Sequence, residues 1–164
     1  MKTLNYTILA LIATLFLLSG CKTGNTVNNS EYNRNLVMQW QEIWNTGQTD
    51  KLSEVITTDF VCHYLTDGEW RGIDGAKREI TNWRKLFPDW HEEVVDFIIE
   101  NDKVVIRYNS TGTHSGTYEG IDSTGIKIII AEVSIFRIED GKLAEQWCFT
   151  DDLSLKNQLI KSQD

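Results

Sequence analysis

The chain has 164 residues and a formal net charge of −8, from 24 acidic and 16 basic side chains. A surface of that sign repels polyanions, so neither nucleic acid nor an anionic lipid surface is an expected partner. The three cysteines are too few for a disulfide framework. Length and composition therefore predict one globular domain with a single hydrophobic core.

The first twenty residues have the pattern of a secretory signal. Lys2 precedes an apolar run over residues 6–18, which is shorter than the about 20 residues that span a bilayer. Leu18-Ser19-Gly20-Cys21 resembles the lipobox of bacterial lipoproteins, which implies cleavage before Cys21 and lipidation of its thiol. The alternative is an ordinary signal peptide that leaves Cys21 as a free thiol.

Residues 21–29 are mostly Gly, Asn and Thr, a composition typical of a flexible tether, and residues 30–164 form the predicted domain. Lys22 follows the cysteine at the position where lipoproteins retained in the inner membrane carry an acidic residue. This favours the outer membrane or the cell surface of a Gram-negative bacterium. The lipid is expected to be the only link to the membrane.

Hydrophobic spacing predicts mainly helices in the first half of the domain. The predicted elements are helices over 30–47, 50–56 and 72–87 and a short strand over 60–64. Ser30 is the expected N-cap of the first helix and Gly47 its end. Pro88 ends the third helix, because proline cannot continue one.

From residue 90 onward the period of the apolar residues changes to two. The predicted strands cover 90–99, 104–111, 126–138 and 142–149. Asn101-Asp102 is the predicted turn between the first two of these strands, and Asp140-Gly141 between the last two is a strong hairpin signal. Helices followed by antiparallel strands favour an α+β fold, in which N-terminal helices pack on a curved, cone-shaped sheet and enclose a pocket.

The strand over 128–136 is apolar on both faces except at Glu132 and Ser134, which share one face. If that face is the inner one, desolvation raises the pKa of the Glu132 carboxyl and suits it to proton transfer near neutral pH. Two alternatives are an ion pair with Arg107 on a neighbouring strand and a position facing water.

Further candidates lie on the short first strand and near the end of the last one. His63 and Tyr64 alternate in direction, so either is a candidate hydrogen-bond donor inside the pocket. Trp147 is a candidate contact for an apolar ligand, and Asp151 either closes the pocket or caps a helix after it. His114, between glycines, is expected to hold a loop in place.

Motifs for bound cofactors are missing from the sequence. It has no cluster with metal-ligand spacing, no glycine-rich phosphate loop that opens a helix and no Gly-x-Ser-x-Gly elbow. A metal, a nucleotide cofactor and serine hydrolase chemistry are therefore not expected.

Several motifs occur at consistent spacing. They include Phe87-Pro88-Asp89, the glycine-bounded segment over 112–116, the segment over 136–147 with Asp140-Gly141-Lys142-Leu143, and then Asp151. Together they resemble the SnoaL-like polyketide cyclases, also called ester cyclases, over nearly all of the domain. The resemblance implies the cone fold of the nuclear transport factor 2 superfamily, often as a homodimer, with a pocket that needs no cofactor.

The resemblance also implies roles for particular positions. In the well-known cyclases an Asp on the last strand exchanges protons with a polyketide ester during an intramolecular aldol closure, and this chain has Cys148 there. Cys62 falls near the pocket Asn of those enzymes, and Glu132 and Ser134 fall at their Gln and His. If the replaced positions share one cavity, Cys62 and Cys148 form either a thiol pair or a disulfide.

Two functions from different classes follow. The first is a cyclase- or isomerase-type enzyme for a small apolar carbonyl or ester compound. Its catalytic candidates are Glu132 as general base, Tyr64 or His63 as donor to the enolate, and Cys148; its ligand-contact candidates are Cys62, Ser134, Arg107, Trp147 and Asp151. The second is a lipid-anchored module that binds an apolar ligand without reaction. A purely structural dimer with a filled cavity is a third possibility.

Overall fold

The computed structural model describes residues 26–64 and 68–161. Its elements in chain order are α1 (Thr26–Thr46), a 3₁₀ turn (Thr49–Lys51), α2 (Leu52–Val55), β1 (Ile56–Tyr64), β2 (Gly68–Arg71), α3 (Gly72–Leu86), β3 (His91–Glu100), β4 (Lys103–Thr113), β5 (Lys127–Glu139), β6 (Lys142–Thr150) and α4 (Asp152–Lys161). The predicted signal peptide and Cys21 lie outside the described residues. No helix within those residues is both long enough and apolar enough to cross a membrane.

The six strands form one curved sheet in the order β2-β1-β6-β5-β4-β3. Neighbouring strands are antiparallel except β1 and β6, which run parallel. The predicted α+β fold is confirmed, with a mixed sheet in place of a wholly antiparallel one. No hairpin joins β1 to β6, since most of the domain lies between them, and their relative direction was therefore not readable from turns.

The core lies between the inner face of the sheet and the helices. On β4 and β5 every second residue is buried, which is the alternation expected when one face of a sheet is covered. Helix α1 contributes Leu36, Trp40 and Ile43, and α3 contributes Ile80, all of them almost fully buried. Such side chains each contribute roughly 1.5–3 kcal/mol through removal from water.

The ends of the elements agree with the local signals in most places. Gly47 ends α1 with φ of +74°, and its N–H donates to the Ile43 carbonyl oxygen at 2.8 Å. The start of α1 was predicted wrongly: the helix begins at Thr26, so Ser30 is not its N-cap and the end of the predicted tether is helical. β2 was not predicted, because its four residues show no clear alternation.

The two hairpins have the predicted turns. Asn101 adopts φ of +54° between β3 and β4, and Asp140 and Gly141 adopt +48° and +77° between β5 and β6. Asn, Asp and Gly are the residues that tolerate this left-handed region best, which is why these turns were visible in the sequence.

Gly112 on β4 allows the segment after α3 to pack closely against the sheet. A Cβ atom added there would lie 2.9 Å from Cβ of Phe87 and 3.0 Å from Cε3 of Trp90. Both contacts are shorter than carbon atoms tolerate without displacement. The glycine therefore sets the position of Trp90, which lines the cavity described below.

We expect Gly112→Ala to lower the free energy of unfolding by about 1–3 kcal/mol, because the added methyl group overpacks this contact. Urea unfolding followed by circular dichroism measures the change. Thr111→Ala, one residue earlier and facing outward, is the control and should change stability much less. Equal stability of Gly112→Ala and the wild type would show that the Phe87–Trp90 segment moves without cost.

Candidate active site

A cavity of about 250 Å³ lies between the inner face of the sheet and the helices α1 and α3. Its volume is just below the range of about 300–1,000 Å³ that is usual for small-molecule sites. The interior is therefore open, and the alternative of a filled structural core is wrong. Aromatic rings form much of the wall: Trp40, Trp44, Tyr64, Trp83, Trp90, Tyr108 and Tyr118.

Glu132 lies on the inner face of β5 and lines this cavity, with 5 % of its surface exposed. Its Oε1 accepts a short hydrogen bond from the Ser110 hydroxyl, and its Oε2 accepts one from the Tyr108 hydroxyl at 3.4 Å. Both donors lie on β4, where Tyr108 is the register partner of Glu132. Of the alternatives considered for Glu132, the inward direction is confirmed.

Burial raises the pKa of Glu132 to about 7, while the hydrogen bonds from Ser110 and Tyr108 oppose part of that shift. Desolvation outweighs the hydrogen bonds because a carboxylate loses much of its hydration inside an apolar wall. The carboxyl group therefore changes charge near neutral pH. In that range a carboxylate can remove a proton and return it.

The Tyr108 hydroxyl connects Glu132 with the last strand. It lies 3.1 Å from Ser134 Oγ and 3.7 Å from Cys148 Sγ, and Gln146 Nε2 donates to Ser134 Oγ at 3.0 Å. Burial and the charge of Glu132 raise the pKa of Tyr108, so its hydroxyl stays protonated. Ser134 is not among the lining residues, which corrects its predicted role as a ligand contact: it links Tyr108 and Gln146 from behind the wall.

A second carboxyl group in the cavity belongs to Glu92 on β3. Trp90 Nε1 donates to its Oε1 at 2.9 Å. Asn45 at the end of α1 holds the Glu92 backbone through two hydrogen bonds, of 2.7 and 3.1 Å. Burial first, and the charge of Glu132 second, raise the pKa of Glu92 to about 8. The two carboxyl groups titrate as a pair, because ionisation of one disfavours ionisation of the other.

Tyr64 and Cys148, two further candidates, also line the cavity and are register partners on the parallel strands β1 and β6. Burial raises the pKa of the Tyr64 hydroxyl, and it raises that of the Cys148 thiol to about 12, so both groups stay neutral near pH 7. Cys62 lies in the core and does not line the cavity, contrary to its predicted role as a ligand contact. Both cysteines are free thiols, and no disulfide joins them.

His63 and Trp147 lie on the outer face of the sheet, so their predicted places in the pocket are wrong. They are register partners, and their rings stack with centroids 5.4 Å apart. His63 Nε2 lies 3.0 Å from Glu145 Oε1, in an ion-pair group on that surface. No bulge reverses β1 beside Tyr64, and strict alternation therefore sends His63 outward.

Arg107 and Asp151 are also outside the cavity. Arg107 pairs with Asp96 on β3, with Nη2 and Oδ2 2.6 Å apart, and both side chains are well exposed. It is therefore neither a ligand contact nor the ion-pair partner of Glu132. Asp151 caps α4, since its Oδ1 accepts the Ser154 N–H at 3.0 Å. The capping alternative is confirmed, and closure of the pocket by Asp151 is wrong.

His114 holds a loop, as its position between glycines predicts. Its Nδ1 lies 3.1 Å from Thr124 Oγ1, and its backbone N–H and carbonyl oxygen bond Ile126 and Gly125, both at 2.9 Å. Burial lowers the pKa of the imidazole. The loop that follows carries Tyr118 to the cavity wall.

Comparison with known proteins adds the family. The model of the SnoaL-like polyketide cyclase family matches residues 34–159. The chain belongs to this family. It is 28 % identical over 131 residues to the aklanonic acid methyl ester cyclase DnrD of Streptomyces peucetius, covering 76 % of this chain and 88 % of that protein. The cyclase DauD of Streptomyces sp. strain C5 is 28 % identical over 132 residues, covering 76 % of this chain and 79 % of that protein.

A solved structure has a similar fold. TsrD from Streptomyces laurentii superposes with a TM-score of 0.71 and 27 % identity, covering 79 % of this chain and 95 % of that one. The fold is therefore shared with that structure over 79 % of this chain.

Several polar residues of this SnoaL-like cavity, among them Glu92, Gln41 and Gln146, were missed at the level of the sequence. Gln146 lies two residues before Cys148 on β6, so both side chains point to the same face of the sheet, and this spacing could have identified Gln146. Glu92 follows the buried Trp90 by two residues, which is the same signal. Among the described residues, no three His, Cys, Asp or Glu side chains are grouped so that they could hold a metal ion.

The raised pKa of Glu132 predicts how stability depends on pH. The usual value is 4.5, and the folded value is about 7, so between these the folded state binds more protons than the unfolded state. The free energy of unfolding therefore falls as pH rises through this window. In Glu132→Gln this contribution is absent, and the variant should gain about 2 kcal/mol relative to the wild type between pH 5 and pH 8.

Urea unfolding at a series of pH values measures this gain. Glu93→Gln, which removes an exposed carboxylate on the same sheet, is the control and should follow the wild-type curve. Parallel curves for Glu132→Gln and the wild type would mean that Glu132 titrates at the same pH in the folded and unfolded states.

Proposed function

We propose that this SnoaL-like domain is a cofactor-independent enzyme of the cyclase or isomerase type, acting on a small apolar carbonyl or ester compound. The observation that carries the proposal is the Glu132 carboxyl: it is buried, it lines an open aromatic cavity, and its pKa is raised into the neutral range. A carboxylate kept solely for stability does not need an open space beside it. The similarity to two methyl ester cyclases supports the same class of reaction.

In the proposed reaction Glu132 is the general base. Its carboxylate removes a proton from the carbon next to the substrate carbonyl, and the C–H electrons form an enolate. The nucleophilic carbon then either takes a proton back at another position, which is isomerisation, or attacks a second carbonyl carbon, which closes a ring. In both cases the proton held by Glu132 returns to the product, so no external acid or base is consumed.

Donors for the enolate oxygen are available on the neighbouring strands. Tyr64 lines the cavity with a hydroxyl that stays protonated, and the Cys148 thiol beside it is neutral as well. A neutral donor in a dry site stabilises developing negative charge without carrying its own countercharge. Tyr64 is the proposed donor, and Cys148 replaces the last-strand Asp of the better-known cyclases as a neutral wall residue.

Replacing the base tests the proposal. We expect Glu132→Gln to slow exchange of the α-proton of 1-phenyl-1,3-butanedione for deuterium by about 100-fold or more, the usual contribution of a positioned general base. Proton NMR in D₂O follows the exchange, and turnover of a panel of keto esters is measured in parallel. Glu93→Gln, with its exposed carboxylate, is the matched control and should keep the wild-type rate.

Equal exchange rates for Glu132→Gln and the wild type would remove Glu132 from the reaction. Binding of apolar compounds without turnover by either protein would favour the second candidate function, a binding module. The observation that favours this alternative is the thiol of Cys148, whose raised pKa makes it a poor acid or base near pH 7.

We also propose that the domain is anchored to the cell envelope by lipid on Cys21, at the outer membrane or cell surface. The lipobox and the following Lys22 support this proposal. The acidic net charge gives anionic headgroups no further attraction, so the acyl chains alone hold the protein. A homodimer remains an expectation from the family resemblance.

Cys21→Ser should abolish incorporation of radiolabelled palmitate and move the protein from the membrane fraction to the soluble fraction of an expressing bacterium. Cys62→Ser is the control, because that thiol lies in the core and should leave lipidation unchanged. Labelling that persists in Cys21→Ser would contradict the anchor.

A further inference from the structure

The charge of the cavity wall has one sign. Five carboxyl groups are found among the described residues that line it, whereas that set includes no Lys, Arg or His; the five are Glu79, Glu92, Glu119, Glu132 and Asp152. Glu119 pairs with Lys156. Glu132 is buried among the aromatic rings, so any charge on it is little screened by solvent, and Glu92 is half-buried next to Trp90.

Three aromatic rings form a corner of the cavity wall, and one of them, Trp90, contacts Glu92. Trp83 and Trp90 are perpendicular, with an interplanar angle of 88° and centroids 5.2 Å apart. Trp83 and Tyr118 are perpendicular as well, at 89° and 5.9 Å. Trp90 Nε1 donates to Glu92 Oε1, which fixes the carboxylate next to the ring. Perpendicular ring faces next to a carboxylate are the features that bind an organic ammonium group.

Two further side-chain oxygen atoms in the cavity would be satisfied by a ligand that donates hydrogen bonds or carries positive charge. Gln41 Oε1 and Gln146 Oε1 are buried and have no hydrogen-bond partner, and both residues line the cavity. The two residues are 2 % and 5 % exposed, so bulk water does not reach these oxygen atoms freely. Unpaired acceptors of this kind are costly unless a ligand or a bound water satisfies them.

We infer that the cavity binds an organic cation, an ammonium compound with an apolar body, whose charged group lies in the corner of Trp83, Trp90 and Tyr118 with Glu92 as its counter-ion. The inference rests on the proposed function only in that it assigns the substrate to the same cavity. It narrows the substrate class to carbonyl or ester compounds that carry an amine or a quaternary ammonium group.

A bound cation would also change the ionisation of the two carboxyl groups of Glu92 and Glu132. Positive charge beside Glu92 favours its ionised form and offsets the repulsion that the charge of Glu132 exerts on Glu92. The other titratable groups that line the cavity are Tyr64, Glu79, Tyr108, Glu119, Cys148 and Asp152. Arg84 of α3 bonds backbone carbonyl oxygens, including that of Trp90, and does not line the cavity. Binding should therefore release protons and strengthen as pH rises.

The test uses three soluble probes of nearly equal shape: choline, its neutral isostere 3,3-dimethyl-1-butanol, and the anion 3,3-dimethylbutanoate. Binding to the purified protein is followed by the indole N–H signals of Trp83 and Trp90 in NMR titrations at pH 6 and pH 8.5. We expect choline to bind about tenfold more tightly than the neutral alcohol at pH 8.5, and more weakly at pH 6.

Variants localise the effect. Glu92→Gln and Trp83→Leu should each weaken choline binding by about tenfold, whereas the controls Glu93→Gln and Trp147→Leu, on exposed or outer-face positions, should bind as the wild type does. Equal or tighter binding of the alcohol or the carboxylate, choline affinity that does not change with pH, or no shift of either indole signal would overturn the inference.

The choline-binding test and the deuterium-exchange test can fail independently of each other. Glu132-dependent deuterium exchange of the neutral diketone without a preference for choline would leave the enzyme proposal standing and remove the cation. Choline binding that requires Glu92, with no exchange by any variant, would do the reverse.

Discussion

The burial of the Glu132 carboxyl among aromatic rings is the constraint on which the rest of the site depends. An ionised carboxylate in such a place is costly, and the inner face of the sheet is arranged around that cost. Ser110 and Tyr108 donate to its two oxygens, and Tyr108 is held in turn by Ser134. The hydrogen bonds recover part of the lost hydration, and the remainder appears as a pKa near neutrality.

Because side chains alternate along each strand, the two faces of the sheet differ in how their carboxyl groups are paired. On the outer face, carboxylates meet cations directly: Asp96 pairs with Arg107, and Glu145 pairs with Arg137 and also contacts the His63 ring. These pairs are partly solvated and contribute little each. On the inner face, Glu92 and Glu132 have neutral donors, and the described lining residues include no cationic side chain that would balance their charge. In our proposal, reactivity and ligand preference therefore belong to the inner face.

The family frame and the family chemistry are separable in this chain. The fold follows the SnoaL-like pattern, and the hairpin turns and the loop held by His114 depend on backbone geometry and glycine positions. The side chains that line the cavity are not fixed by backbone geometry or glycine positions. A thiol at Cys148 and carboxyl groups at Glu132 and Glu92 occupy one cavity. In our proposal the acid–base function therefore lies on β5, at Glu132, and not on the last strand. Exchanging wall residues on a conserved frame is a common route to new substrates.

The sequence by itself determined the types of the elements other than β2, both hairpin turns, the C-terminal ends of α1 and α3 and the shared face of Glu132 and Ser134, because these follow from local periodicity and turn chemistry. Only the tertiary structure decided the parallel pairing of β1 with β6, which no turn encodes. It also decided that His63 points outward and that Glu92, 40 positions before Glu132 in the printed sequence, shares its cavity. Such meetings depend on the curvature of the whole sheet, a property that no short segment contains.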